Sequence, residues 1–219
     1  NTILNNSYFV NSDNMVYGKY FMKENLAIRV RFRFRDISTK YKNLVVQDLQ
    51  TDPMVKVEDT YIRFDQLFGV SLGLEKRRGQ GRIQGIYGAE ISYNTGVIKE
   101  KYSYGNEMAG QNIAPNTTNN FFSGTSTNLS SRTLENNYGR SHVVGLNGFI
   151  GVEYFFAPKM AIAGEYTYGV GYSVIGETSS TTENYTNQTE IITDSNNGTR
   201  SFSLDTGNHG GAISLLMYF

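Results

Sequence analysis

The sequence predicts an all-β fold: an antiparallel up-and-down transmembrane β-barrel of eight strands, seven of them visible, with residues 1–219 forming one domain. Three observations predict it. Apolar and polar residues alternate with period 2 over many segments. Connections alternate between short turns and long polar stretches, and the last segment ends on an aromatic residue.

Composition sets the outer limits. At 219 residues there is room for one domain or one large all-β unit. Mean hydropathy is −0.40, and no run approaches the roughly 18 apolar residues that a spanning helix needs. Tyr and Phe number 16 and 13, beside 23 Gly and only 3 Pro. Aromatics favour long strands, and Pro, which would interrupt them, is scarce. With no Cys there is neither a disulfide scaffold nor a thiolate metal site. A net charge of zero argues against nucleic acid as a partner. No signal peptide is visible, so Asn1 lies within a mature chain or begins a fragment.

Seven spans follow from the alternation: residues 8–22, 26–35, 61–74, 83–104, 134–156, 160–176 and 200–219. In the second, Ile28, Val30, Phe32 and Phe34 alternate with Arg29, Arg31, Arg33 and Arg35. In the third, Ile62, Phe64, Phe68, Val70, Leu72 and Leu74 oppose Arg63, Asp65, Ser71 and Glu75. The fourth sets Tyr87, Ala89, Ile91 and Tyr93 against Gln84, Glu90, Ser92 and Asn94. The fifth sets Leu146, Ile150, Val152 and Tyr154 against Asn147, Gly151 and Glu153. The sixth sets Ile162, Tyr166, Tyr168 and Tyr172 against Ala161, Ala163, Glu165 and Thr167. The last presents Ile213, Leu215, Met217 and Phe219 on one face.

Alternation also fits a soluble sandwich with its apolar face inward. The connections separate the two. Short turns are expected at 23–25, 77–81 and 157–159, and long polar loops at 36–59, 106–131 and 176–197. Short turns on one side and long loops on the other are the layout of a bacterial outer-membrane barrel. In that reading Tyr166, Tyr168, Ile150, Val152, Ile91 and Leu215 face lipid. Such barrels have an even strand number, so an eighth strand is expected upstream of Asn1, with Thr2, Ile3 and Leu4 as its remnant or as the tip of the first outer loop.

The terminal Phe219, with Met217, Leu215 and Ile213 at alternate positions, resembles the signal that delivers such proteins to the barrel insertion machinery. Two turns read alike: Tyr20-Phe21-Met22-Lys23-Glu24-Asn25-Leu26-Ala27-Ile28 and Tyr154-Phe155-Phe156-Ala157-Pro158-Lys159-Met160-Ala161-Ile162. This text resembles small barrels common in Bacteroidota, and the architecture is similar to the OmpA, OmpX and OmpW type, without a peptidoglycan-binding domain. The resemblance implies the outer membrane of a Gram-negative cell as the location. It implies contact with outer-membrane lipid and lipopolysaccharide, and other outer-membrane proteins as partners within a complex.

Period 2 sends Arg29, Arg31, Arg33 and Arg35 to the face opposite the apolar one, into a lumen that side chains of about eight strands just fill. Unpaired cations there are costly. Asp65, Glu75, Glu90, Glu153 and Glu165 face the same way as partners, and superposing the two similar turns puts Arg31 level with Glu165. The set reads as a salt-bridged plug; the alternative is a narrow anion-attracting pore, which a barrel of this size disfavours.

Catalysis finds little support. Ser141 and His142 are adjacent on a strand and point to opposite faces. His209 is spaced from no nucleophile, and no hydrolase or zinc motif occurs. No cofactor is expected. The loops at 106–131 and 184–197 have a mobile composition, with the pair Phe121 and Phe122 as the one point suspected of contact. The expected function is a non-enzymatic structural or accessory subunit of a larger outer-membrane complex. Alternatives are a surface-binding or adhesion module acting through its loops, favoured if the loops are ordered and expose aromatics, and lastly a lipid-modifying enzyme.

Overall fold

The computed structural model describes residues 15–185, 189–204 and 210–218. Every regular element among them is a strand: β1 (Met15–Lys23), β2 (Leu26–Val46), β3 (Lys56–Gln80), β4 (Ile83–Ser103), β5 (Asn116–Asn120), β6 (Thr125–Asn128), β7 (Ser131–Ala157), β8 (Met160–Ile175), β9 (Thr178–Tyr185), β10 (Thr189–Asn196), β11 (Thr199–Leu204) and β12 (Gly210–Met217). All pairings are antiparallel, in the order β1-β2-β3-β4-β7-β8. Both β11 and β12 then pair with β8, the first beside its end and the second beside its start, so they form one interrupted span. The described residues thus hold all or part of each of the seven expected spans.

Three connections are two-residue hairpin turns, because Lys23 pairs with Leu26, Gln80 with Ile83 and Ala157 with Met160. The turn expected at 77–81 is tighter and later. β3 runs on to Gln80, and Gly81 takes a φ of 70°, a left-handed conformation that favours glycine.

The long loops are corrected more strongly. Of 36–59, only 47–55 lies outside strands, since the ladder of β2 and β3 continues unbroken from Leu26↔Lys76 to Val46↔Lys56. Residues 106–131 contain the β5–β6 hairpin, and 176–197 contain the whole of β9 and β10. Polar composition misled there, because ladder pairing satisfies the backbone whatever the side chains, and the inner face of the β2–β3 extension is covered at Val45, Asp59 and Tyr61.

The sheet's two faces are inverted relative to a soluble core. Tyr166, Tyr168, Ile150, Val152, Ile91 and Leu215 are all between 41% and 64% exposed. Opposite them Arg29, Glu75, Glu153 and Asn147 are at most 1% exposed. On β2 the outward face reads Ile28, Val30, Phe32, Phe34 and then Asp36, Ser38, Lys40, Lys42, so an apolar band gives way to a polar extension. Ile213, Leu215 and Met217 are exposed while Leu216 is buried, as the terminal pattern requires. Phe219, His209 and residues 8–14 of the first expected span lie outside the described residues.

The sheet curls, so side chains cross its interior. Phe21 of β1 lies 5.9 Å from Tyr218, just past β12, ring to ring, and Tyr17 of β1 packs on the Ala161, Ala163 and Leu216 cluster. No ladder joins β1 to β11 or β12 among the described residues, so the sheet is open along that seam.

Candidate functional site: an interior ion network beneath an ordered cap

The inward row of β2 meets partners from the far side of the curl. Arg29 Nη2 donates to both carboxylate oxygens of Glu165 at 2.8 and 3.1 Å. Its other neighbours are Glu75 at 3.5 Å and Glu90 at 3.6 Å, ion-pair contacts too long to satisfy Nε and Nη1 as hydrogen bonds. The guanidinium instead lies 3.6 Å from the Phe149 ring centroid, a cation–π contact. Arg31 reaches Glu90 at 3.3 Å and also Glu165. Arg33 is buried above them, and Arg35 pairs with Asp65 at 2.8 Å near the mouth. Residues that the turn comparison set level, Arg31 and Glu165, do meet.

Glu153 behaves differently from expectation. It binds Lys19 and Arg77 and accepts from Tyr218 Oη at 2.9 Å, lower in the interior and away from the arginine row. Glu75 joins this lower group through Lys19 at 2.6 Å and Tyr17 Oη at 3.2 Å. Lys19, Arg77, Tyr17 and Tyr218 were missed in the sequence. Lys19 shares the inward parity of Tyr17 and Phe21, a usable signal, whereas Arg77 falls in the expected turn 77–81, where alternation fixes no face. Gly73 lies in register between Arg29 and Glu90, where a Cβ would approach the Ala89 carbonyl oxygen to 2.7 Å. Room for these long side chains depends on that glycine.

Above the apolar band the extended strands carry a second assembly. Tyr41, Tyr61 and Tyr102 are direct cross-strand neighbours on β2, β3 and β4. Their ring centroids are 5.8 and 5.0 Å apart, spacing that favours aromatic pairs. The β5–β6 turn docks on this ladder, with Phe121 stacked 5.7 Å from Tyr61 and Phe122 set 5.0 Å from Tyr41. Asn120 shapes the turn, its side-chain oxygen accepting from the backbone N–H of Phe122 at 2.9 Å and Ser123 at 3.3 Å.

Two carboxylates fasten the cap, Asp59 buried and Asp48 half-buried. Asp59 accepts from Gly105 N at 2.9 Å and from Thr118 N and Oγ1, each at 2.8 Å. Asp48 accepts from Asn116 N at 2.7 Å and Asn112 Nδ2 at 2.9 Å. Buried Arg132 donates to Asn106 O and Glu183, both at 2.8 Å, tying the cap to β9. The stretch 106–131, whose composition suggested mobility, is therefore fully built. Phe122 nonetheless stays 76% exposed, whereas Phe121 is half-buried.

Glu100, below the tyrosine ladder and beyond the apolar band at the level of Thr39, accepts from Tyr138 at 2.8 Å, Tyr61 at 2.9 Å and Arg63 at 2.9 Å. Burial alone raises its carboxyl, but the hydrogen bonds from Tyr138, Tyr61 and Asn136 and the Arg63 charge outweigh it and hold Glu100 below its ordinary value. Burial first, and then the bond to Glu100, push Tyr138 up to about 12. A carboxyl lowered on folding contributes stability that is complete above its unfolded value, about 4.3, and is lost as pH falls through its folded value. Acidification from about pH 5 towards about pH 2 should therefore diminish the near-ultraviolet circular dichroism of the tyrosine cluster. Glu100→Gln should lack that component, and a wild-type signal flat to the acid end contradicts the assignment.

His142 is exposed on the outward face, its Nδ1 2.8 Å from Tyr93 Oη. Ser141 points the other way and donates to Gly96 O at 3.2 Å, so the two form no dyad. Compared with protein-family models, with curated proteins and with solved structures, the chain matches none.

Proposed function

We propose that this chain is a non-enzymatic outer-membrane β-barrel, a structural or accessory subunit that holds a rigid cap above the membrane. The observation that carries this is the inverted polarity: a paired ionic interior under an outward face of exposed Tyr, Ile, Leu and Val. In water such a face would drive association; in lipid it is the satisfied surface. Closure follows from strand direction. With seven antiparallel spans, β1 and β12 run the same way, so one further strand between them pairs antiparallel with both edges. An unclosed seam would leave backbone groups unsatisfied in hydrocarbon, at several kcal/mol each.

The ordered cap favours a second reading, binding at the cell surface. Phe122 stands exposed on a fastened hairpin, and a cleft of about 410 Å³ opens beside Tyr102, Tyr104, Glu107 and Arg132. With Ser141 turned away to Gly96, His142 pairs with Tyr93 and has no serine partner for the lipid-modifying alternative.

The absence of Cys makes single-cysteine probes clean. In reconstituted liposomes, a fluorophore on Ile150→Cys or Leu146→Cys should be quenched by lipid-chain quenchers and not by iodide. Quenching by iodide alone at both positions, or a chain that stays monomeric without detergent, sinks the barrel reading.

A further inference from the structure

We infer that the outward face holds a phospholipid, its phosphate against Lys76 and one acyl chain in a groove floored by Ala89 and Gly148. This rests on the membrane-barrel reading above and names one lipid site within it. The groove is shallow and open along its length, with a volume of about 890 Å³. Register explains its shape. Ala89 pairs with Gly148 in the cross-strand row that runs from Leu74 to Tyr168. The row on one side carries Tyr87, Ile150 and Tyr166; the row on the other carries Ile91, Leu146 and Val170. Two adjacent small residues between rows of large apolar ones leave a shallow channel.

Its direction is set by strand stagger. The row through Lys76 starts at Leu26, the first residue of β2 beside a hairpin turn, and reaches Tyr166 in the middle of β8. The channel thus climbs obliquely from the short-turn rim towards the middle of the apolar band. Lys76, its one charged lining residue, lies at the rim end, is exposed and makes no ion pair among the described residues. Exposed Arg78 continues the positive charge towards the turn. A cation at the rim with an apolar channel rising from it complements an amphiphile with an anionic head, and the ammonium of Lys serves as a point charge for phosphate.

Gly148 adds an independent sign. A Cβ there would meet nothing closer than the Gly88 and Tyr168 carbonyl oxygens at 3.9 Å, and its φ is not left-handed. The backbone does not require glycine at this position, although glycine in a strand interior is destabilising. What the missing side chain leaves is the floor of the channel.

The test uses the full chain, folded in detergent, stripped of lipid and examined by native mass spectrometry with phosphatidylglycerol or diacylglycerol added. One phosphatidylglycerol per chain should remain bound, and diacylglycerol, which lacks the phosphate, should bind about fivefold more weakly. Lys76→Gln should weaken phosphatidylglycerol about fivefold. Gly148→Leu should abolish its retention, with the fold checked by circular dichroism. Equal retention by Gly148→Leu and wild type overturns the proposal. A doubled mass that Gly148→Leu returns to a single chain also overturns it, because a second copy then fills the groove. Chains that insert into liposomes yet retain no phosphatidylglycerol refute the groove alone, whereas chains that never insert refute the barrel reading.

Discussion

Replacing Glu165 with alanine is expected to lower the unfolding free energy by about 3–5 kcal/mol, the cost of leaving a buried charge without its partner. Glu165 takes both hydrogen bonds of Arg29 Nη2 and also binds Arg31. Arg29 is 1% exposed, and its Nε and Nη1 already lack hydrogen-bond partners, so little remains to hold that guanidinium once Glu165 is gone. Denaturant unfolding in detergent micelles, followed by tyrosine fluorescence, measures the loss. Thr181→Ala is the control: that hydroxyl pairs with Thr193 at 3.0 Å in an exposed hairpin, and its removal should change stability by less than about 0.5 kcal/mol. Adding Arg29→Met to Glu165→Ala should recover part of the loss, because the stranded charge leaves with it. If Glu165→Ala unfolds at the wild-type midpoint, the interior network is not what holds the curled sheet together.

Asp59→Ala should detach the cap and spare the sheet. The Asp59 carboxylate is fully buried and accepts two backbone N–H groups and one hydroxyl from the segment it fastens. Each buried N–H left unpaired costs about 1–3 kcal/mol, enough to open a short two-stranded hairpin locally. Limited proteolysis within residues 106–131 should accelerate about tenfold or more, which corresponds to roughly 1.4 kcal/mol of lost local stability. Global unfolding should shift far less. Asp59→Asn keeps one acceptor oxygen and should fall between the two. Proteolysis at the wild-type rate would mean that Asp59 does not fasten the hairpin, and that the aromatic contacts of Phe121 and Phe122 suffice.

Which face each side chain occupies was legible in the sequence. Alternation along a strand is a property of the extended backbone, so Arg29, Arg31 and Glu165 could be placed inward, and Ile150 and Tyr166 outward, without knowing any neighbour. The two-residue turns after Lys23 and Ala157 were legible for a similar reason, since a tight hairpin is a local event. Pairing across the interior was not. Arg29 and Glu165 lie 136 positions apart, and Lys19 and Glu153 lie 134 apart. Their meeting depends on the stagger between strands and on how far the sheet curls, quantities that accumulate over every ladder. For that reason Glu153, inward as expected, serves Lys19 and Arg77 instead of the arginine row. The cap lay furthest beyond the sequence. Its Asn, Thr and Ser residues carry no apolar period, and composition alone reads them as mobile. Asp48, with buried Asp59 and Arg132, gives them hydrogen-bond partners that exist only once β2, β3, β4 and β7 stand side by side, so tertiary structure alone decides that this segment is ordered.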